Sequence, residues 1–410
     1  MTGGLGGGAV PGMSGGQMPD LHSELADQGY VIIRRTIPPE RLDGLRATFE
    51  VLVERQFDRW RRERDAAGRW PDSYFARQPR VLIQSVVDAS TAEAVELCLE
   101  EGTLGVSRRL MQAPHAAPTL MSLMCNPSED HGPDRWHRDI RPASLAPLAG
   151  LQHDARANGP AYVQWNLPLY DDAVLWVVPG SHWRVNSDEE NDILARDPSV
   201  PLPGGIPVEL NAGDAVVYLN TMLHWGSDYS ARLRRTIHLG YRAFGAAIYP
   251  HAHAFNWDLG FTSRLSADTR RQFESFFELH ANERRVIEAV LRAALERDAD
   301  EFQRQLAILH PGAEGRVVAL VLLSKLVLRL AGLARTDRAG FDRRKDIADA
   351  FSAGEIVAIE RRFAALDAAL RAADDHIVPG FQDGPAGYAN NDMPAGFGVD
   401  EFIGSWGAAA

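Results

Sequence analysis

Residues 213–242 read GDAVVYLNTMLHWGSDYSARLRRTIHLGYR, and their patterning decides the fold. The apolar runs in it are short, rich in β-branched and aromatic residues, and set apart by Gly, Asn, Ser and Asp, as in strands joined by turns. The same texture extends from about Pro118 to Phe244, through TLMSLMCNP, AYVQWNLPLY and AVLWVVPG, and predicts an all-β sandwich or barrel. On the N-terminal side, LHSELADQGYVIIRRTIPPERLDGLRATFEVLVERQF predicts a short helix, the strand Tyr30–Ile33, a Pro-Pro turn and a long amphipathic helix. On the C-terminal side, FESFFELHANERRVIEAVLRAALERDADEFQRQLAIL, the apolar segment Val317–Ala334 and EIVAIERRFAALDAALRAADD predict further helices, followed by an irregular tail from about residue 377. The expected class is α+β, with a β-core between helices and an extra helical C-terminal region. No internal repeat is present, which disfavours solenoids and propellers.

Within the opening stretch, His224 ends a β-type run. A partner for it lies upstream in DRWHRDIRP, where His137 and Asp139 are separated by one residue. On an extended strand both side chains point to one face and can chelate one ion. A His-x-Asp triplet alone is equally an ordinary loop histidine with an acidic neighbour. Two imidazoles and one carboxylate on one face of an ion, however, make a facial triad with open coordination positions, which suits non-haem Fe(II), with zinc as the competitor on ligand type. A cation placed to hold the distal carboxylate of 2-oxoglutarate separates the two. Arg235, eleven residues past His224 at the start of the next strand, can make two parallel hydrogen bonds to a carboxylate. Arg232 and Arg234 compete with it, and a solvated basic turn is the ordinary reading for two of the three.

The order GYVIIRRTIPPE, His-x-Asp, PGSH, GD-strand-His and a distal Arg, across residues 20–245, resembles the phytanoyl-CoA dioxygenase family of Fe(II)- and 2-oxoglutarate-dependent oxygenases. The resemblance implies a double-stranded β-helix core of the jelly-roll or cupin type. It also implies His137, Asp139 and His224 as iron ligands and Arg235 as the 2-oxoglutarate anchor, with O2 as co-substrate and ascorbate as a supporting reductant. Halogenating relatives replace the carboxylate ligand by a small residue, so Asp139 favours hydroxylation or a related oxidation of an unactivated C–H bond. The substrate expected is a small molecule, with secondary metabolism as the preferred setting. The rival reading is a non-catalytic, metal-binding cupin-like module that recognises a ligand without turning it over.

Several further residues are candidates with competing structural readings. Gln164 and Asn166 share one face of their strand and, with Ser122 on an earlier strand, are candidates to meet 2-oxoglutarate; polar residues on a half-exposed strand are the alternative. Arg138, Arg141 and Trp225 are candidates for substrate contact, against surface cations and, for Trp225 and Trp136, core packing. PGSH (179–182) is expected to be a structural turn, with His182 no ligand, and His238 to pack within its strand. Segment 142–160 is expected to be a loop that closes over substrate.

Composition narrows the class further. With 43 Lys and Arg against 55 Asp and Glu, the net charge of −12 gives no reason to expect nucleic acid as a partner. Two cysteines outside any Cys-x-x-Cys pair exclude a disulfide framework and a thiolate zinc site, and a reducing cytoplasm is the expected compartment. Residues 1–18 read as a Gly-rich disordered leader, 19–250 as the oxygenase core and 251–410 as the helical region packing on it. Lys325 and Arg329 sit mid-segment in Val317–Ala334, where a membrane would charge roughly 2.5–3.5 kcal/mol for each, so a buried helix and no membrane partner are expected. The apolar C-terminal helices are candidates for a homodimer contact.

Overall fold

The computed structural model describes residues 20–140, 147–229, 231–246, 260–337, 339, 348–373, 379–381 and 392–407. The leader, Arg141 and segment 247–259 lie outside the described residues. The strands are β1 (Tyr30–Ile33), β2 (Arg80–Leu82), β3 (Ala116–Cys125), β4 (Gly132–Pro133), β5 (Tyr162–Pro168), β6 (Trp176–Val177), β7 (Ile206–Pro207), β8 (Ala215–Tyr218), β9 (His224–Trp225), β10 (Ser227–Asp228) and β11 (Arg235–Ala243). The longer helices are α1 (Leu21–Gln28), α2 (Pro39–Ala67), α3 (Leu148–Asn158), α4 (Asp188–Arg196), α5 (Ala267–Glu296), α6 (Ala299–Leu309), α7 (Arg316–Thr336), α8 (Ala353–Ala372) and α9 (Val399–Ser405). The expected class therefore holds as a mixed helical and antiparallel-sheet fold.

A six-stranded sheet has the order β1-β8-β5-β11-β3-β2, and a three-stranded one has the order β7-β6-β9. Alternation gives the large sheet two different faces. Its odd-numbered residues, among them Leu123, Trp165, Val217, Ile237 and Leu239, join Leu45, Phe49 and Leu52 of α2 in the main core. Its even-numbered residues face the small sheet, where Val216 and Tyr218 pack with Leu175, Val177, Val208 and Leu210. Which face a residue takes decides what it can reach.

The opening α1–β1–α2 unit follows its local signals. Asp20 caps α1 by accepting the His22 N–H, Gly29 ends it in the left-handed region at φ 82°, and Pro39 sits in the first turn of α2. Segment 142–160 departs from the expected loop: residues 148–158 form α3, whose Leu148 is buried in the C-terminal core. Leu148, Leu151 and Leu148's neighbour Gly150 supply an apolar stripe that is short and dilute, which is why periodicity alone missed it.

The C-terminal helices build a second core of their own, centred on α7. α7 with the turn before it is long and apolar enough to cross a membrane, yet 67% of its apolar window is buried inside the protein. Ile140, next to the candidate ligand Asp139, belongs to this second core together with Phe381. The tail is not wholly irregular either. α9 packs Phe402 into the same core, and the Arg138 N–H donates to Gly380 O at 2.7 Å, laying the segment around 380 beside the His-x-Asp strand.

Candidate metal centre

His137 and His224 form an antiparallel bridge, exchanging N–H···O bonds of 2.9 and 3.0 Å, so their side chains project from one face. Asp139, two residues on, projects the same way. Its Oδ1 lies 3.5 Å from His137 Nε2 and its Oδ2 3.4 Å from His224 Nε2, and the three ligand atoms lie within 4.8 Å of one another. These side chains are 20%, 15% and 6% exposed in chain order, leaving the cluster open on the His137 side.

The surroundings preset the ligands. His137 Nδ1 lies 2.7 Å from Arg135 O and His224 Nδ1 3.0 Å from Met222 O, an arrangement in which each Nδ1–H donates to a carbonyl and each Nε2 lone pair faces the cluster. Gln164 donates an amide N–H to Asp139 Oδ2 at 2.6 Å. Among the described residues its buried Oε1 has no hydrogen-bond partner, which leaves it an available acceptor. Burial opposes charging of both His137 and Asp139, but attraction within the cluster prevails: Asp139 raises His137 to about 9, and His224, followed by His137, holds Asp139 well below the usual carboxylate range. A divalent cation bound between them would take the place of that proton. The donor set of two imidazole nitrogens and one carboxylate fits Fe(II).

The pocket wall comes from the inner face of the large sheet. Ser122, His238 and Asn166 are cross-strand partners in one row, and His238 Nδ1 approaches Asn166 Oδ1 at 2.8 Å. Gln164 and Asn166 thus reach the expected face, with Gln164 spent partly on Asp139. Ser122 is fully buried and donates weakly to His238 O at 3.4 Å, so it is part of the wall rather than a free contact. Tyr218 stands 5.0 Å from the His224 ring. Tyr162 keeps its hydroxyl beside Gly240, where an added Cβ would lie 2.0 Å from it; burial pushes this phenol up to about 12.

Three sequence expectations require correction. Arg235 is odd-numbered and turns to the helical face, where its Nε and Nη2 bind Glu50 of α2 at 2.7 and 3.1 Å; it does not face the metal cluster. Its neighbour Arg234 takes the inner face with Thr236, and both donate to Asp172 Oδ2, at 3.3 and 2.6 Å. Arg138 is not at the pocket mouth. It is 1% exposed, points opposite to its ligand neighbours, and donates to Ser181 O at 2.8 Å, Asn186 Oδ1 at 2.9 Å and Thr221 O. Burial lowers its pKa to about 9. Trp225 is 4% exposed and stacks on Trp136 at 4.9 Å, away from the cluster.

The PGSH turn is structural as expected. Gly180 adopts φ 78°, Ser181 receives Arg138, and His182 Nε2 meets Ala26 O at 2.9 Å. Sequence reading missed Arg80, which pairs with Met124 on the inner face and is felt electrostatically at Tyr162, Tyr218 and His238. It also missed Asp172. The signal available for both was the parity of a strand position, which needs the register to be read.

An antiparallel-sheet core carrying a preset His-Asp-His cluster defines a metal-dependent protein of the non-haem iron type. The chain belongs to the phytanoyl-CoA dioxygenase family of Fe(II)- and 2-oxoglutarate-dependent oxygenases, whose model matches residues 25–236. No curated protein is similar enough to match it. Among solved structures it is similar to AviO1 from Streptomyces viridochromogenes Tue57, at 20% identity and a TM-score of 0.39, over 57% of this chain and 95% of that one. It is also similar to HygX from Streptomyces hygroscopicus, solved with nickel and 2-oxoglutarate bound, at 14% identity and a TM-score of 0.39, over 56% and 88% of the two chains.

Proposed function

We propose that the protein oxidises an unactivated C–H bond of a small-molecule substrate, with hydroxylation as the favoured outcome, coupled to decarboxylation of 2-oxoglutarate to succinate. The facing sheets are read as a double-stranded β-helix. The observation that carries the proposal is the convergence of His137 Nε2, His224 Nε2 and the Asp139 carboxylate with both imidazole tautomers fixed from behind. When bound, Fe(II) and 2-oxoglutarate supply the activation of O2. Asp139 fills the position that halogenating relatives clear for a halide, which favours hydroxylation over halogenation.

The remaining work falls to the protein. His137, Asp139 and His224 would hold the metal through three ligand atoms, a set that leaves coordination positions for co-substrate and O2. Gln164 fixes the Asp139 carboxylate through its amide N–H and, among the described residues, keeps its Oε1 free to accept. Arg234, on the inner face, is the cation assigned to the distal carboxylate of 2-oxoglutarate. Asn166, His238, Tyr218 and Tyr162 line the wall and limit access of water.

The test is turnover under 18O2 with Fe(II), 2-oxoglutarate and a panel of small metabolites, following succinate and product mass. Substrate-dependent succinate release with one 18O in product supports hydroxylation, and His224→Ala is expected to reduce it at least 100-fold. No succinate release above the protein-free control, with or without any substrate and with no oxidised product, favours the non-catalytic module.

A further inference from the structure

We propose that Asp172 is a positioning residue for the co-substrate: it grips Arg234 by the Nε edge and leaves the terminal Nη1/Nη2 edge to meet the distal carboxylate. The inference rests on Arg234 being that anchor. Asp172 Oδ2 accepts from Arg234 Nε at 3.3 Å and from Thr236 Oγ1 at 2.6 Å. Among the described residues no hydrogen bond reaches Arg234 Nη1 or Nη2, although the side chain is only 11% exposed. A guanidinium presents its donors in a fixed fork with more than one edge able to take a carboxylate. Occupying Nε therefore both orients the plane and selects which edge remains.

Two features make Asp172 a fixture rather than a stand-in that co-substrate must expel. Its Oδ1 accepts the Val174 N–H at 2.8 Å, and its backbone exchanges hydrogen bonds with Leu210 in both directions, at 3.0 and 2.9 Å. Its carboxylate is 10% exposed, so swinging out would strand a buried cation and a buried hydroxyl. With the Thr236 proton given to Asp172, the hydroxyl is not a donor to the co-substrate. The Arg234–Asp172 pair is also nearly neutral as a unit. Recognition of a second carboxylate then depends on the geometry of the exposed edge more than on net charge, which is why the orientation of the plane matters.

The experiment compares 2-oxoglutarate with 2-oxobutanoate, which chelates metal through the same oxo-acid group but lacks the distal carboxylate. Calorimetry on the full-length Mn(II)-loaded protein, without turnover, gives the affinity ratio of the two. Wild type is expected to prefer 2-oxoglutarate at least 10-fold. Asp172→Ala is expected to erase most of that preference, and Asp172→Asn, which keeps an acceptor oxygen, to weaken it about threefold; 2-oxobutanoate binding stays unchanged in both and reports an intact metal site. No preference in wild type would remove Arg234 as anchor, and the proposal with it. A wild-type preference retained in full by both variants would overturn the role of Asp172 alone, and tighter 2-oxoglutarate binding in either would show Asp172 to be a competitor. If Asp172→Ala does not fold, the Asn variant carries the decision.

Discussion

Gln164 touches the metal centre without being one of its ligands, and its single N–H to Asp139 is short, 2.6 Å. Hydrogen bonds to a ligating carboxylate set its orientation, and their loss typically costs 10- to 100-fold in metal affinity. Gln164→Leu is therefore expected to weaken Fe(II) or Co(II) binding by about that factor, measured by chelator competition, while urea unfolding of the metal-free protein changes little. Unchanged affinity would show the contact to be incidental. Gly240 makes a second residue-level case. Its missing Cβ gives the Tyr162 hydroxyl its place, since a Cβ there would sit 2.0 Å away with Thr119 Oγ1 at 2.9 Å. Gly240→Ala is expected to cost roughly 1–3 kcal/mol by overpacking, read as a lower urea midpoint. A neutral substitution would mean that Tyr162 moves freely.

At the scale of elements, β11 decides between two adjacent arginines. A shift of one residue along a strand exchanges faces, so eleven residues past His224 gave Arg235 and the inner face belongs to Arg234. Arg235→Ala is expected to destabilise the fold by about 1–2 kcal/mol, because Arg235 is 12% exposed and its partner Glu50 remains without it. Its binding of 2-oxoglutarate should stay within about twofold of wild type; a large loss of binding would return the anchor role to Arg235. The metal ligands were legible in the sequence because a His-x-Asp pair and a strand-ending His are local patterns that alternation keeps on one face. α1, β1 and α2 were legible from their apolar patterning and the Pro-Pro turn. Which arginine takes the inner face was not legible, since an RLRR run leads into β11 and any of its three cations fits the spacing. Arg138 was misjudged for a related reason: an Arg between two ligands faces away from them, and nothing local announces that Ser181, Thr221 and Asn186 await it.

The molecule as a whole is joined along the seam between the β-core and the C-terminal helices. Arg242 of β11 is fully buried against Glu283 of α5, with an Nη1 contact of 2.8 Å, and Asp154 of α3 meets the buried His310 at 3.0 Å. Ile140 and Leu148 are packed in the C-terminal core. Truncation at residue 259 is expected to expose these apolar groups and strand Arg242, giving aggregation on expression, whereas an independent core would remain monodisperse in size-exclusion chromatography. Stability also carries a pH signature. Burial holds His182 and His238 neutral, pushing them down to about 4 and about 3 from the ordinary 6.5. Below pH 6.5 the unfolded chain binds these protons and the folded one does not, so stability falls as pH drops from about 6.5 toward 3–4, by roughly 1–3 kcal/mol per histidine. Urea midpoints at pH 7 and pH 5 check this, and His182→Gln should reduce the difference between them. An equal difference in the variant would mean that His182 does not contribute.

An iron centre whose co-substrate is anchored by Arg234 can be checked by anaerobic titration of the metal-free protein with Fe(II) and 2-oxoglutarate, following the visible charge-transfer band of an iron-chelated 2-oxo acid. The band is expected in wild type and Arg235→Ala at similar 2-oxoglutarate concentrations, with at least 10-fold more 2-oxoglutarate needed in Arg234→Ala and no band in His224→Ala. A wild type that binds Fe(II) without developing the band, or an Arg234→Ala variant that titrates like wild type, would contradict it.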